Sequence, residues 1–174
     1  FENLTKWGKA NTIITNSDPR DFEHCGEIFD VIVVDAPCSG EGLFRKDEHA
    51  TDEWSIANTT LCTLRQKRIL EQILQCLKPG GYLVYSTCTY NPEENELQIE
   101  ALLNQGYSAV PFNFNGRVAG MHQCYPHQMK GEGFFIALLQ KDSARDWKES
   151  RRKPGELKPV KDATAFRHFL KEEL

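Results

Sequence analysis

No stretch of this 174-residue sequence approaches the roughly 18 consecutive apolar residues of a membrane-spanning helix, and no apolar leader with a small-residue cleavage site opens it. A cytoplasmic protein is therefore expected. No two of its cysteines, Cys25, Cys38, Cys62, Cys76, Cys88 and Cys124, stand at Cys-x-x-Cys spacing, and nothing marks the chain for secretion, so free thiols are expected rather than disulfides. His122, Cys124 and His127 have no fourth ligand at zinc spacing and are not read as a metal site. There is no Gly-x-Gly-x-x-Gly and no phosphate loop of the Gly-Lys-Ser type. Excess positive charge is missing too: 21 Lys and Arg against 25 Asp and Glu leave a net −4, so any nucleic-acid contact must come from a local patch.

What is present is globular: 40% hydrophobic and 26% charged residues suffice for one compact domain. Phe1 to Gly8 reads as the end of an amphipathic helix, as expected of a piece of a longer protein. Thr12 to Thr15 reads as a short strand running into the turn cluster Asn16-Ser17-Asp18-Pro19. In Phe29 to Asp35 the unbroken apolar run Val31 to Val34 predicts a strand buried on both faces of a parallel sheet. From Ser55 to Leu77, Ile56, Leu61, Leu64, Ile69, Ile73, Leu74 and Leu77 mark a long amphipathic helix that Lys78-Pro79-Gly80-Gly81 should stop. A strand over Tyr82 to Thr87 follows. Asn91-Pro92-Glu93-Glu94 then starts a helix reaching about Asn104, with a capping residue, proline at the first helical position and acids in the first turn. Strands are expected near Tyr107 to Phe112 and Gly133 to Gln140. This alternation means an open α/β sheet with crossovers. Residues 141–158 read as a charged linker, and residues 159–174, helical again around Phe166, Phe169 and Leu170, as the start of a further domain.

In such sheets ligands bind beyond the carboxyl ends of the strands, where loops are free of the ladder and helix N-termini point inward. That rule selects Asp18, the segment Asp35 to Gly40 and the segment Ser86 to Asn91. The last two each carry a cysteine just past a strand end, and a helical crossover between them should set Cys38 and Cys88 against one pocket. Cys88 also precedes the helix expected at Asn91, whose N-terminus would favour a thiolate. Cys25, Cys62 and Cys76 read as small hydrophobes.

The stretch Asp35-Ala36-Pro37-Cys38-Ser39-Gly40-Glu41-Gly42, then Arg45-Lys46-Asp47, Trp54, Lys78-Pro79-Gly80-Gly81 and Tyr85-Ser86-Thr87-Cys88-Thr89-Tyr90-Asn91-Pro92-Glu93-Glu94-Asn95-Glu96, resembles the Nop/Sun-type RNA cytosine-5 methyltransferases. Pro126 to Phe135 resembles the last strand region of that family, so the likeness covers residues 1–140, nearest to the bacterial ribosomal small-subunit methyltransferase F group. The resemblance implies part of a Rossmann-like, class I S-adenosylmethionine-dependent sheet, mostly parallel with an antiparallel last strand. It implies methylation of carbon 5 of cytosine in RNA, ribosomal RNA above all. Separately from the resemblance, a monomer is expected. Cys88 takes the position of the nucleophile and Cys38 that of the residue assisting enzyme release. Asp35 matches the acid at the cofactor and base pocket, although a strand-end cap is an alternative. Pro37 goes with the cofactor pocket. Asp18 matches the acid at the adenine end of the cofactor, against a plain Asp-Pro turn. Arg45, Lys46 and Lys130 are candidate RNA phosphate contacts, against ordinary solvated charge. The family's glycine-rich cofactor loop precedes the region matching Phe1, so these residues alone are expected to be inactive.

Two other functions fit part of the pattern. A DNA cytosine-5 methyltransferase attacks with the cysteine of a Pro-Cys pair, which would promote Cys38 over Cys88. A non-catalytic RNA-binding or assembly factor could keep the fold without the chemistry.

Overall fold

The structure, a computed structural model, describes Lys6, residues 11–47 and residues 49–143. The expected opening helix, the linker and the C-terminal helix fall outside the described residues, apart from Lys6 and positions 141–143.

Strand β1 spans Phe29–Asp35 and β2 spans Leu77–Thr87; they run parallel, with Val33 opposite Val84 and Asp35 opposite Ser86. Between Phe29, opposite Leu77, and Val31, opposite Tyr82, the register jumps. Lys78-Pro79-Gly80-Gly81 therefore forms an irregularity within β2 rather than a helix stop, with Gly80 at φ +74° and Lys78 Nζ 2.7 Å from Asp30. The crossover between the strands carries the short helix α1, His49–Glu53, and the long helix α2, Ile56–Ile73, capped by Ser55 accepting from the Asn58 amide at 3.0 Å. Helix α2 ends at Ile73, earlier than the periodicity suggests, and a 3-10 turn over Leu74–Cys76 leads into β2. Helix α3, Glu96–Leu103, follows β2.

Downstream lie β3 (Tyr107–Ala109), the β4 (Phe112–Phe114) and β5 (Arg117–Ala119) hairpin, β6 (Met121–Cys124) and β7 (Phe134–Lys141). Strand β7 pairs antiparallel with β2 on one side and with both β3 and β6 on the other. Hence β1, β2, β3 and β6 point one way and β7 the other, the mostly parallel sheet with a reversed last strand expected from the family resemblance. The hairpin is an addition to that expectation; its turn, Asn115-Gly116 with φ +51° and +81°, is a common two-residue signal for one.

Ile32, Val34, Leu70, Leu74, Leu83, Tyr85, Ile99, Leu102, Phe135 and Leu139 make the core between the sheet and helices α2 and α3. Two expectations about burial fail. In β1 burial alternates, with Val31 53% and Val33 66% exposed, because among the described residues helices cover only the Ile32 and Val34 face. In α2 the first apolar residues, Ile56, Leu61 and Leu64, face outward, while Thr59 and Gln66 turn in. There the helix has run beyond the apolar core and passes a polar cluster described below. Thr12 to Thr15 is not a strand; among the described residues no strand lies alongside to complete a ladder, and Ile13 is 90% exposed. No described helix is long and apolar enough to cross a membrane.

Candidate functional site

The carboxyl ends of β1 and β2 are adjacent because the strands pair in parallel, and each continues into a loop carrying a cysteine. The Ala36 amide still reaches across to Ser86 O at 2.8 Å, so the two loops leave the sheet in step. Cys38 Sγ and Cys88 Sγ lie 3.2 Å apart, both free and half-buried. They share a cavity of about 450 Å³ with Asp35, Pro37, Asn58 and Phe134. Asp35, at the rim, accepts from the Ser86 hydroxyl at 2.9 Å.

The thiols are not equivalent. Cys38, the more buried, keeps its proton: hydrogen bonding to Cys88 and burial both raise it. Cys88 receives that hydrogen bond and is lowered to about 7. Several influences oppose this order: the amides of Cys88, 3.3 Å from Cys38 Sγ, and of Gly40 lower Cys38, while burial and the Asp35 and Glu94 carboxylates raise Cys88; the hydrogen bond between the thiols outweighs them. The helix terminus expected beside Cys88 is not its neighbour. Residues 92–95 form a turn and α3 begins only at Glu96, since the Asn95 side chain, rather than capping a helix, accepts from Thr87 at 2.6 Å and donates to Thr89 O at 3.0 Å. The partner thiol, not the macrodipole, lowers Cys88.

Beneath the cysteines lies a cluster that sequence reasoning missed. Glu94, read as a first-turn acid, is fully buried. Its carboxylate accepts from the Ser39 amide (2.9 Å), the Ser39 hydroxyl (2.5 Å) and the Gln66 amide (3.1 Å). Burial raises its pKa, and the hydrogen bonds from Ser39 and Gln66 oppose that rise. Removing one of these donors leaves a buried acceptor unpaired, at a cost of about 1–3 kcal/mol. The available signal was Gln66, a polar residue on what periodicity makes the inner side of α2.

Close backbone packing joins this cluster to a second loop. Gly42 donates to Cys88 O at 2.8 Å, and a Cβ there would stand 2.7 Å from that same oxygen, so only glycine fits. Gly133 in turn donates to Gly42 O at 3.3 Å, and Glu41 takes the Tyr90 amide at 3.1 Å and the Trp54 ring N–H at 3.0 Å. The result sets Arg45 beside Lys130, both exposed, on one cavity of about 560 Å³ with His127 and Gln128. Lys46 is exposed and does not line it.

Asp18 stands apart from the cysteine cavity. It caps the 3-10 helix Pro19–Cys25 through the Arg20 amide, which holds its carboxyl below the usual range, and pairs with Arg68 at 3.1 Å. His122 is buried with a ring nitrogen on Phe112 O at 3.2 Å. No group of three potential metal ligands occurs among the described residues.

The family model for the 16S rRNA methyltransferase RsmB/F matches residues 1–140. The ribosomal RNA small subunit methyltransferase F of Erwinia tasmaniensis is 39% identical over 150 residues, 80% of this chain and 31% of that protein. Its counterpart in Aliivibrio fischeri is 36% identical over 187 residues, 99% of this chain and 40% of the relative. The chain thus spans about a third of the length of the curated relatives it matches. Among solved structures, NSun6 from Pyrococcus horikoshii with SFG superposes with a TM-score of 0.68 at 28% identity, covering 82% of this chain and 38% of that one. A methyltransferase homolog protein from the same organism gives 0.66 at 32% identity, covering 80% and 48%. The sheet is accordingly part of a Rossmann-like methyltransferase fold. The family match over residues 1–140 and relatives above 30% identity agree: the chain belongs to the 16S rRNA methyltransferase RsmB/F family.

Proposed function

We propose that the protein to which these residues belong methylates carbon 5 of a cytosine in ribosomal RNA from S-adenosylmethionine, through a transient bond between Cys88 and the base. The observation that carries the reading is the pair of unequal thiols, 3.2 Å apart, at the open end of a parallel sheet. Ring carbon 5 of cytosine is too electron-poor to take a methyl group unaided. Addition of the Cys88 thiolate to carbon 6 places electron density on carbon 5. Once carbon 5 carries the methyl group, loss of its proton to a base and expulsion of the Cys88 thiolate restore the ring. Cys38, holding its proton beside the departing sulfur, assists that release by hydrogen bonding.

The residues present suit the cofactor's reactive end. A cavity of about 450 Å³ lies within the range of small-molecule sites, and Asp35 on its lining offers a counter-charge to a sulfonium. The NSun6 relative was solved with SFG, an S-adenosylmethionine analogue. S-adenosylmethionine supplies an electrophilic methyl group when bound. Asp35 and Pro37 would hold that end and Asp18 the adenine end. Arg45, Lys46 and Lys130 would meet RNA phosphates. A ribosomal RNA substrate implies action in the cytoplasm.

The experiment uses the complete gene product with Cys38→Ser or Cys88→Ser, RNA and S-adenosylmethionine, resolved on a denaturing gel. Cys38→Ser should accumulate a covalent RNA adduct and Cys88→Ser none. The reverse pattern overturns the assignment and makes Cys38, the cysteine of the Pro-Cys pair, the nucleophile. If the unaltered protein transfers no methyl group and neither variant forms an adduct, RNA binding or assembly is the function instead.

A further inference from the structure

We infer that Glu94 is a positioning residue for the two thiols: its buried carboxylate grips the residue after Cys38 and, through one shared hydroxyl, the residue after Cys88. The assignment deepens the thiol chemistry proposed above and rests on it. Glu94 takes both the amide and the hydroxyl of Ser39, at 2.9 and 2.5 Å. Gln66, donating to Glu94 at 3.1 Å, also donates to Pro37 O at 2.9 Å, so the residues on either side of Cys38 hang from one carboxylate and one amide. Ser39 has a single hydroxyl proton, and Glu94 receives it. Thr89, whose Oγ1 lies 2.9 Å from Ser39 Oγ, must then be the donor of that contact. Each cysteine is thus followed by a hydroxyl residue, and the two hydroxyls meet above the same carboxylate. Glu94 itself is pinned by the Tyr85 hydroxyl on its carbonyl at 2.7 Å.

Three donors converge on this carboxylate in a setting closed to solvent, since Glu94, Gln66 and Thr89 are all fully buried. Glutamine at 94 would turn an N–H₂ toward one of them. Aspartate would fall a methylene short. Either change should let the Cys38 loop drift from Cys88, and a sulfur–sulfur hydrogen bond tolerates little drift. A purely structural role would lower stability and leave the Cys88 thiol as it is.

The test is the pH dependence of Cys88 alkylation by iodoacetamide in the complete gene product, mapped by mass spectrometry and run beside steady-state methylation. The unaltered protein should titrate at about 7. In Glu94→Asp, which keeps the negative charge that bears on Cys88 but falls short of Ser39, the midpoint should climb toward the ordinary thiol value of about 8.5, and kcat should fall roughly tenfold or more with KM little changed. Ser39→Ala should move the midpoint the same way by less. Exposed Glu93→Gln should move neither. A folded Glu94→Asp protein with an unaltered Cys88 midpoint overturns the assignment, and if that variant does not fold, an unaltered midpoint in Ser39→Ala overturns it equally. A shifted midpoint in a protein that still methylates after Cys88→Ala upholds the positioning role and sinks only the nucleophile proposal.

Discussion

At the floor of the cysteine cleft, Thr87, Thr89, Glu94 and Asn95 are fully buried and tied to one another, to Ser39 or to Gln123; at its basic rim, Arg45, Lys46 and Lys130 stand in solvent. The floor holds its side chains in a closed set of hydrogen bonds, the kind of fixed geometry that bond-making requires. The rim offers charge without fixed geometry, which suits a polyanion whose backbone can adjust. Changes in the floor should therefore alter the rate of the chemical step, and changes in the rim should alter affinity and its dependence on salt.

The largest effect is expected from Cys88→Ala, which should reduce methyl transfer by a factor on the order of a thousand or more while RNA affinity stays within about twofold. A loss of affinity matching the loss of rate would erase the distinction between floor and rim. Next comes Gly42→Ala, because the added Cβ meets the Cys88 carbonyl at 2.7 Å; kcat should drop by roughly ten- to a hundredfold in single-turnover assays. The pH dependence is third. Single-turnover methyl transfer should rise with pH and level off above about 7 as Cys88 ionises, and Cys38→Ala, which removes the donor that stabilises the thiolate and blocks only the later release, should push that midpoint upward. The smallest effects belong to the rim. Arg45→Ala or Lys130→Ala should weaken RNA binding a few-fold at low salt and flatten the slope of log affinity against log salt by roughly 0.7–0.9 for each phosphate no longer neutralised. Lys46→Ala should do less, being outside the cavity that Arg45 and Lys130 share. Filter binding across a salt series would rank the three.

The same contrast explains what is legible in the sequence. β-branched runs and glycine punctuation mark β1, most of β2 and β7, and the strand-end rule places Cys38 and Cys88 in one pocket from pattern alone. The polar floor is not legible. Glu94 sits in Asn-Pro-Glu-Glu, a helix-start pattern, and only tertiary packing makes that start a turn and draws the carboxylate inside. Gln66 and Thr59 interrupt the apolar stripe of α2, and read alone they look like noise rather than a second inward surface. Exposure of Val31 and Val33 depends likewise on which elements cover the sheet, which local pattern cannot state.

The attacking sulfur can be identified directly. RNA carrying 5-fluorocytosine at the target position blocks loss of the carbon-5 substituent, so whichever thiol adds to carbon 6 stays attached. Digestion of the stalled complex formed by the complete gene product and sequencing of the modified peptide by mass spectrometry should place the nucleotide on Cys88. A nucleotide on Cys38, or a stalled complex that forms equally well after Cys88→Ala, would contradict the account.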